Sequence, residues 1–211
     1  MINFSPNMLK TFKTCPKKYF YKYVENISMP QPASFFEKGK KIHALANYYL
    51  RGADITNMLN ELTDDEKLIW QRLLANEFFQ KAYVNSEYNL SAKIGDYWVG
   101  GRLDALMKDG ENYYILDYKT GSIPQNPEYD FQTMVYLLCA DKKVKNYASL
   151  TFVYIDLRND KNYEIKFTSE FKAKYENYIT EICSQIENAQ FPERIEHSKS
   201  CDFCEYKKIC I

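Results

Sequence analysis

An aspartate at position 104 and an Asp-x-Lys triplet at 117–119 are the residues of this chain best suited by type and spacing to do chemistry. Asp104 closes the run Gly101-Arg102-Leu103-Asp104, and the triplet lies in Ile115-Leu116-Asp117-Tyr118-Lys119-Thr120-Gly121. Both runs read as neighbouring β-strands. Residues two apart in a strand share a face, so Asp117 and Lys119 project together while Tyr118 faces away. Two carboxylates and an ammonium gathered at one point are costly unless something neutralises them. A hard divalent cation does so, since Mg²⁺ is usually held by one or two carboxylates plus phosphate oxygens. Lys119 can then offset developing negative charge or orient a water, the usual division of labour in metal-assisted phosphodiester hydrolysis.

An Asp-x-Lys triplet in a loop is an ordinary solvated feature; here it ends an apolar strand. Tyr97 to Met107 reads as one strand interrupted by Gly100-Gly101, where a bulge or a close backbone approach is expected. Lys108-Asp109-Gly110-Glu111-Asn112 carries hairpin signals, and Tyr113-Tyr114-Ile115-Leu116 runs apolar into Asp117 as a buried strand does. Around these, Ser5-Pro6 caps a short helix, and Cys15-Pro16 restarts it to about Val24. Met29 to Pro32 is a loop, Phe35 to Leu50 is helical, and Thr63-Asp64-Asp65-Glu66 is a capping box opening a helix to about Gln80. Strands are expected near 83–90, 93–99, 101–107, 112–119, 149–156 and 163–167, and helices over 125–140 and 171–189. The chain leaves the last helix through Phe191-Pro192. The fold class is α/β: a mixed central sheet flanked by helices.

Other residues gain meaning from this frame. His43 lies on a predicted helix and offers a neutral imidazole nitrogen, which suits Mn²⁺ as well as Mg²⁺. Gln132 and Tyr136 are four apart and share a helical face. Alone they are a polar residue beside a core aromatic; after an Asp-x-Lys strand and a short loop they read as groups reaching phosphate or base. Cys201-Asp202-Phe203-Cys204, then Cys210, with Cys15 far upstream, make a plausible four-thiolate set. Such a set holds a tetrahedral zinc or an iron–sulfur cluster, and spacing does not separate them. Cys139 and Cys183 fall in apolar helical patterns and read as inert core thiols.

Taken in order, these residues resemble the PD-(D/E)xK nuclease superfamily, in the branch holding RecB-type and AddB-type nuclease domains and the CRISPR-associated Cas-four nucleases. The motifs are Gly39-Lys40-Lys41-Ile42-His43, Glu87 in Asn85-Ser86-Glu87-Tyr88, Gly101 to Asp104, Asp117 to Lys119, and Gln132-Thr133-Met134-Val135-Tyr136. The resemblance implies a restriction-endonuclease-like fold and metal ligation by His43, Asp104 and Asp117, with the Ile115 and Leu116 backbone close by. Catalytic roles fall to Asp104, Asp117, Lys119, Gln132, Tyr136 and Glu87, of which Glu87 is the most variable. Members with one cysteine upstream and three at the end carry a [4Fe–4S] cluster, so the resemblance favours that cluster over Zn²⁺ at Cys15, Cys201, Cys204 and Cys210. It would clip the helical N-terminal part to the C-terminal cysteines within a single domain, residues 1–211.

Composition narrows the partners. The formal charge is zero over 211 residues, so DNA binding has to use a local patch. Lys13, Lys17, Lys18 and Lys22, interleaved with Tyr19, Phe20, Tyr21 and Tyr23, supply one: lysines meet phosphates and rings stack on unpaired bases. The same segment can be an amphipathic helix with aromatics inward. No apolar run reaches the length of a membrane span, and the N-terminus lacks the basic-then-apolar pattern of a secretory leader. A cytoplasmic protein with reduced thiols is therefore expected. No G-x-x-x-x-G-K-[ST] motif occurs, so duplex opening needs a helicase or CRISPR adaptation partner. The expected activity is an Mg²⁺- or Mn²⁺-dependent exonuclease acting on single-stranded or frayed DNA. The alternative is a non-catalytic nucleic-acid-binding module with a structural metal cluster.

Overall fold

Local signals set most helix starts. The Ser5 side chain accepts from the Met8 N–H at 3.3 Å and Pro6 takes the first helical position, which opens α1 (Pro6–Thr14). Cys15, in an extended conformation, ends α1 and caps α2 (Pro16–Tyr19) by accepting from the Lys18 N–H at 3.4 Å. The helix continues to Val24 as a wider π-type turn over Phe20–Val24. α3 (Glu37–Leu50) and the short α4 (Thr56–Asn60) follow. The expected capping box opens α5 (Asp64–Ala75), with Thr63 and Glu66 satisfying each other's backbone N–H.

The computed structural model describes residues 2–30, 37–191 and 199–210. The expected helical start at Phe35, the loop end at Gln31-Pro32, and Pro192 lie outside the described residues.

Among the described residues six strands form one mixed sheet: β1 (Asn3–Phe4), β2 (Ala82–Ile94), β3 (Tyr97–Asp109), β4 (Asn112–Lys119), β5 (Ser149–Asp156) and β6 (Lys161–Lys166). β2 pairs antiparallel with β3 along one edge, while the other edge of β3 pairs with β1 at its start and β4 at its end. β4 and β5 are parallel, joined through α6 (Phe131–Lys143), and β6 returns antiparallel. The expectation of a separate strand over 93–99 is corrected. Gly95, at φ +58°, turns the chain with Asp96, and Ile94 pairs with Tyr97. A two-residue glycine turn suits the right-handed twist of the paired strands. The helix expected from residue 125 begins instead at Phe131, because Pro127–Tyr129 forms a 3₁₀ turn and Asp130 caps α6 by accepting from the Gln132 N–H.

The glycine pair does not break β3; it marks two close approaches. A methyl group on Gly100 would overlap the β2 main chain, with Ser91 Cα at 2.7 Å, and one on Gly101 would lie 2.8 Å from the Tyr136 hydroxyl. Gly100→Ala must therefore displace backbone, and we expect a loss of about 1–3 kcal/mol in urea unfolding. An unchanged midpoint would show that β2 yields freely.

Helices cover both sheet faces. On one, α1, α6 and α7 (Ser169–Glu187) pack Leu9, Met134, Leu138, Ile179 and Ile182 against Val99, Leu103, Ile115 and Phe152. On the other, α3 and α5 pack Ile42, Leu45, Trp70 and Leu73 against Met107, Leu116, Tyr118 and Val153. Alternation along β4 thus sends Ile115 to the first face and Leu116 and Tyr118 to the second. Cys139 and Cys183 are fully buried in the first layer, and burial pushes both thiols up to about 12, as inert core cysteines require. Among the described residues no helix is long and apolar enough to cross a membrane.

Candidate active site

The sheet opens where chemistry is expected. The β3–β4 ladder ends at Ala105–Leu116, and beyond it the two strands separate. Asp104 bridges the gap with its side chain: Oδ2 accepts from the Tyr118 N–H at 2.9 Å in place of a main-chain carbonyl. Across the other edge of β3, the β2 register shifts between Tyr83 and Asn85, and Glu87 adopts φ +47°. A bulge and a left-handed residue re-aim side chains at a strand, here bringing the Glu87 carboxylate beside Asp104.

α3 completes the pocket from above. The two ring nitrogens of His43 face acceptors: Nδ1 is 3.1 Å from Asp104 Oδ1, and Nε2 is 3.0 Å from the Tyr118 carbonyl. A neutral imidazole has one donor only, so both contacts are satisfied by the imidazolium. Burial alone would push this histidine down. The Asp104 hydrogen bond and charge, the Asp117 charge and the Tyr118 carbonyl outweigh it, lifting His43 to about 9. Among the described residues, His43, Glu87 and Asp104 bring three ligand atoms within 4.8 Å of one another. One nitrogen and carboxylate oxygens beside a main-chain carbonyl suit a hard divalent cation, which can replace the imidazolium proton as the positive partner.

Asp117 and Lys119 form a second group next to this one. Lys119 Nζ is 2.6 Å from Asp117 Oδ2 and donates to Gln132 Oε1 at 3.2 Å, while Gln132 Nε2 donates to Asp117 Oδ1. The three thus close a ring. Burial, then the Asp104 charge, push Asp117 above the usual carboxylate range, although Lys119 and His43 oppose this. Burial would lower Lys119, but Asp117 more than compensates, and the ammonium is retained. Asp117 lies outside the 4.8 Å ligand group, because its carboxylate is turned toward Lys119 and Gln132.

The structure places three of the expected groups as follows. The Ile115 and Leu116 backbones are tied into the ladder with Leu106 and Ala105; the carbonyl at the site belongs to Tyr118. Tyr136 is buried and donates to the Arg102 carbonyl at 2.9 Å, so it positions the β3 main chain just before Asp104. Gln132 reaches Asp117 and Lys119. The Tyr118 side chain points into the second layer, 5.7 Å from the Phe79 ring, and among the described residues its buried hydroxyl has no hydrogen-bond partner. Removing an unsatisfied buried hydroxyl relieves a desolvation cost, so Tyr118→Phe is expected to melt at or above the parent temperature. A fall of several degrees would reveal a partner for that hydroxyl.

Two contributors had no sequence signal assigned to them. Asn47, four residues after His43 and on the same face of α3, accepts from Ser86 Oγ at 2.7 Å and ties the helix to β2. Arg102 Nε lies 2.7 Å from Glu87 Oε2, with two-thirds of the arginine side chain exposed. The cleft they share with His43, Asp104 and Lys119 has a volume of about 930 Å³.

The cysteines come together in a separate cavity. Cys15, Cys201, Cys204 and Cys210 line one cavity of about 210 Å³. The chain ends are tied around it: Lys18 Nζ lies 2.7 Å from Glu205, the Tyr21 hydroxyl donates to the Ile209 carbonyl, and the Tyr206 hydroxyl donates to the Ile27 carbonyl. This corrects the expected DNA-binding patch. Lys17 and Tyr19 are buried, Tyr19 packs on Phe12 and Phe191, Lys17 sits over the Tyr21 ring at 5.1 Å, and Lys18 is paired. Tyr19 points inward, Phe20, Tyr21 and Tyr23 are half-buried, and Lys13 is the exposed lysine of the four.

With this geometry, comparison with known proteins is decisive. The sequence pattern of the PD-(D/E)XK nuclease superfamily matches residues 3–211. The chain belongs to that superfamily. The chain is 29% identical over 123 residues to the CRISPR-associated exonuclease Cas4 of Francisella tularensis subsp. novicida. The match covers 58% of this chain and 61% of that protein. A candidate exonuclease of Eubacterium rectale superposes with a TM-score of 0.61 at 12% identity, over 95% of this chain and 87% of that one. That likeness concerns the fold, an α/β mixed sheet between helices of the restriction-endonuclease-like kind.

Proposed function

We propose that this PD-(D/E)XK protein is an Mg²⁺- or Mn²⁺-dependent deoxyribonuclease that degrades single-stranded or frayed DNA from free ends. The observation that carries the reading is the convergence of His43, Glu87 and Asp104 beside the Asp117–Lys119 pair, at the point where β3 and β4 separate. His43, Glu87 and Asp104 would hold the ion, with Asp117 and the Tyr118 carbonyl next to them. When bound, the ion neutralises the carboxylates and supplies Lewis acidity toward the scissile phosphate. Lys119, fixed by Asp117 and Gln132, places a permanent positive charge where negative charge develops and orients the attacking water. Tyr136 keeps the Asp104 segment in register from behind.

The chain acts as one domain, residues 1–211, with a [4Fe–4S] cluster at Cys15, Cys201, Cys204 and Cys210. The arrangement of one cysteine upstream and three near the end, gathered on one cavity, supports a cluster over a single zinc. The Francisella relative is named CRISPR-associated, which supports a role in CRISPR adaptation; DNA repair and recombination use the same chemistry. A helicase or adaptation partner would supply opened DNA, and the cytoplasm is the compartment that keeps the thiols reduced.

Titration calorimetry with Mn²⁺ tests the metal site without relying on turnover. The parent protein is expected to bind Mn²⁺, with an affinity lowered about 10–100-fold in His43→Ala. Equal affinity in the two proteins would place the ion elsewhere and remove the basis of the reading.

A further inference from the structure

The cleft above the metal-ligand trio has a wall that the hydrolytic chemistry does not use. Lys40, Ala44 and Tyr48 line it at four-residue intervals on α3, and Arg102 lines it from β3. Tyr48 and Tyr49 are adjacent in sequence but treated differently by the fold. The Tyr49 ring packs on Trp70 at 5.4 Å and on Phe79 at 6.0 Å. Tyr48 enters no ring contact among the described residues, stays 49% exposed, and borders the cleft.

Its placement is nevertheless firm. One residue before it, Asn47 holds α3 to Ser86, whose hydroxyl also meets the Tyr83 hydroxyl at 3.2 Å; one turn before that, His43 is bound to Asp104 and the Tyr118 carbonyl. A ring on so anchored a helix is held in place before any ligand arrives, which lowers the entropy lost on contact. Two cations line the same cleft. Lys40 is exposed about 12 Å along the helix, and two-thirds of the Arg102 side chain stays exposed although Glu87 lies 2.7 Å from its Nε. Two cations for phosphates and an exposed π-face within one cleft are the chemistry that holds a single nucleic-acid strand with splayed bases. A duplex keeps its bases stacked inside and offers this ring no free face.

The geometry points to Tyr48 as the residue that selects single-stranded DNA at this site, by stacking on an unpaired base while Lys40 and Arg102 hold the flanking phosphates. This rests on the nuclease reading above and adds a specificity element to it. The ring touches no reacting atom, so its removal should act on substrate capture and spare the chemical step.

The test is steady-state cleavage in Mn²⁺ of an end-labelled thymidine tract, the same tract with abasic sugars over the cleft-binding length, and a frayed duplex. Tyr48→Ala is expected to raise KM for the thymidine tract about tenfold, the scale of one base–aromatic stack, with kcat within twofold. Tyr48→Phe should match the parent, and on the abasic tract all three proteins should share one KM. In addition, Tyr48→Trp should show indole emission quenched by the thymidine tract and not by the abasic one. A parent-like KM for Tyr48→Ala, or an equal rise on the abasic tract, would overturn the assignment while the nuclease stands. A parent that cleaves none of the three substrates would instead remove the nuclease reading, and this inference with it.

Discussion

Asp104→Asn is expected to cut metal-dependent DNA cleavage by about a thousandfold while leaving the protein folded. The expectation follows from how much converges on one carboxylate. Oδ2 accepts the Tyr118 N–H that the β3–β4 ladder no longer satisfies, Oδ1 meets His43 Nδ1, and the group belongs to the ligand trio with Glu87. Asparagine keeps the size and, through its amide oxygen, the bond to Tyr118, so the strand ends should stay together. It removes the negative charge that draws a cation and that supports the doubly hydrogen-bonded His43. Cleavage rates with saturating Mn²⁺, set beside circular dichroism melts, separate the two effects. Activity within tenfold of the parent would mean that Asp104 is a structural bridge only.

The second large effect concerns the cysteine cavity. If the proposed [4Fe–4S] cluster is held there, replacing Cys204 with serine, or removing the metal by oxidation, is expected to abolish its visible absorbance and lower the melting temperature by about 10 °C. The estimate treats the cluster as a cross-link between Cys15 and the Cys201–Cys210 segment. Closing a loop of more than a hundred residues is worth about 5 kcal/mol in the chain-entropy picture, and a chain of this size loses about 2–4 °C per kcal/mol. The Lys18–Glu205 pair and the Tyr21 and Tyr206 hydrogen bonds hold the same ends together, so part of the structure should survive. Scanning calorimetry under anaerobic and oxidised conditions reads the difference. Coincident melts would show that the hydrogen-bonded ends need no cross-link.

What was legible in the sequence was local or periodic. Ser5-Pro6 and the Thr63–Glu66 capping box act within one turn of chain, and the strand over 149–156 ends where its pattern ends. The hairpin at Gly95-Asp96 was missed because Gly100-Gly101 looked like the stronger punctuation. Those glycines instead admit the β2 backbone and the Tyr136 hydroxyl, contacts made only after the sheet and α6 have assembled. The N-terminal lysine–tyrosine segment offered both a DNA-binding face and a core face. Packing of Tyr19 against Phe12 and Phe191, which lies far along the chain, decides for the core.

The site followed the same division. Side chains that share a strand or a helical turn, such as Asp117 with Lys119 or Gln132 with Tyr136, could be paired by spacing alone. The Tyr118 carbonyl could not, because spacing speaks of side chains and this group is exposed by strand separation. Glu87 depends on a bulge and a positive φ set by pairing with β3, and no residue near it announces that geometry. Tyr136 was placed on the correct helical face, yet its hydroxyl is taken by the Arg102 carbonyl, which only the folded sheet supplies.

The most direct test is degradation of end-labelled single- and double-stranded DNA by anaerobically purified protein in Mn²⁺, beside a Lys119→Ala control and an EDTA control. The proposed function predicts that the parent shortens the single strand from its end, that EDTA stops it, and that Lys119→Ala is slower by about a hundredfold or more. Parent and variant degrading DNA at equal rates, or a folded parent with its cluster intact leaving both substrates whole, would contradict the assignment of this site.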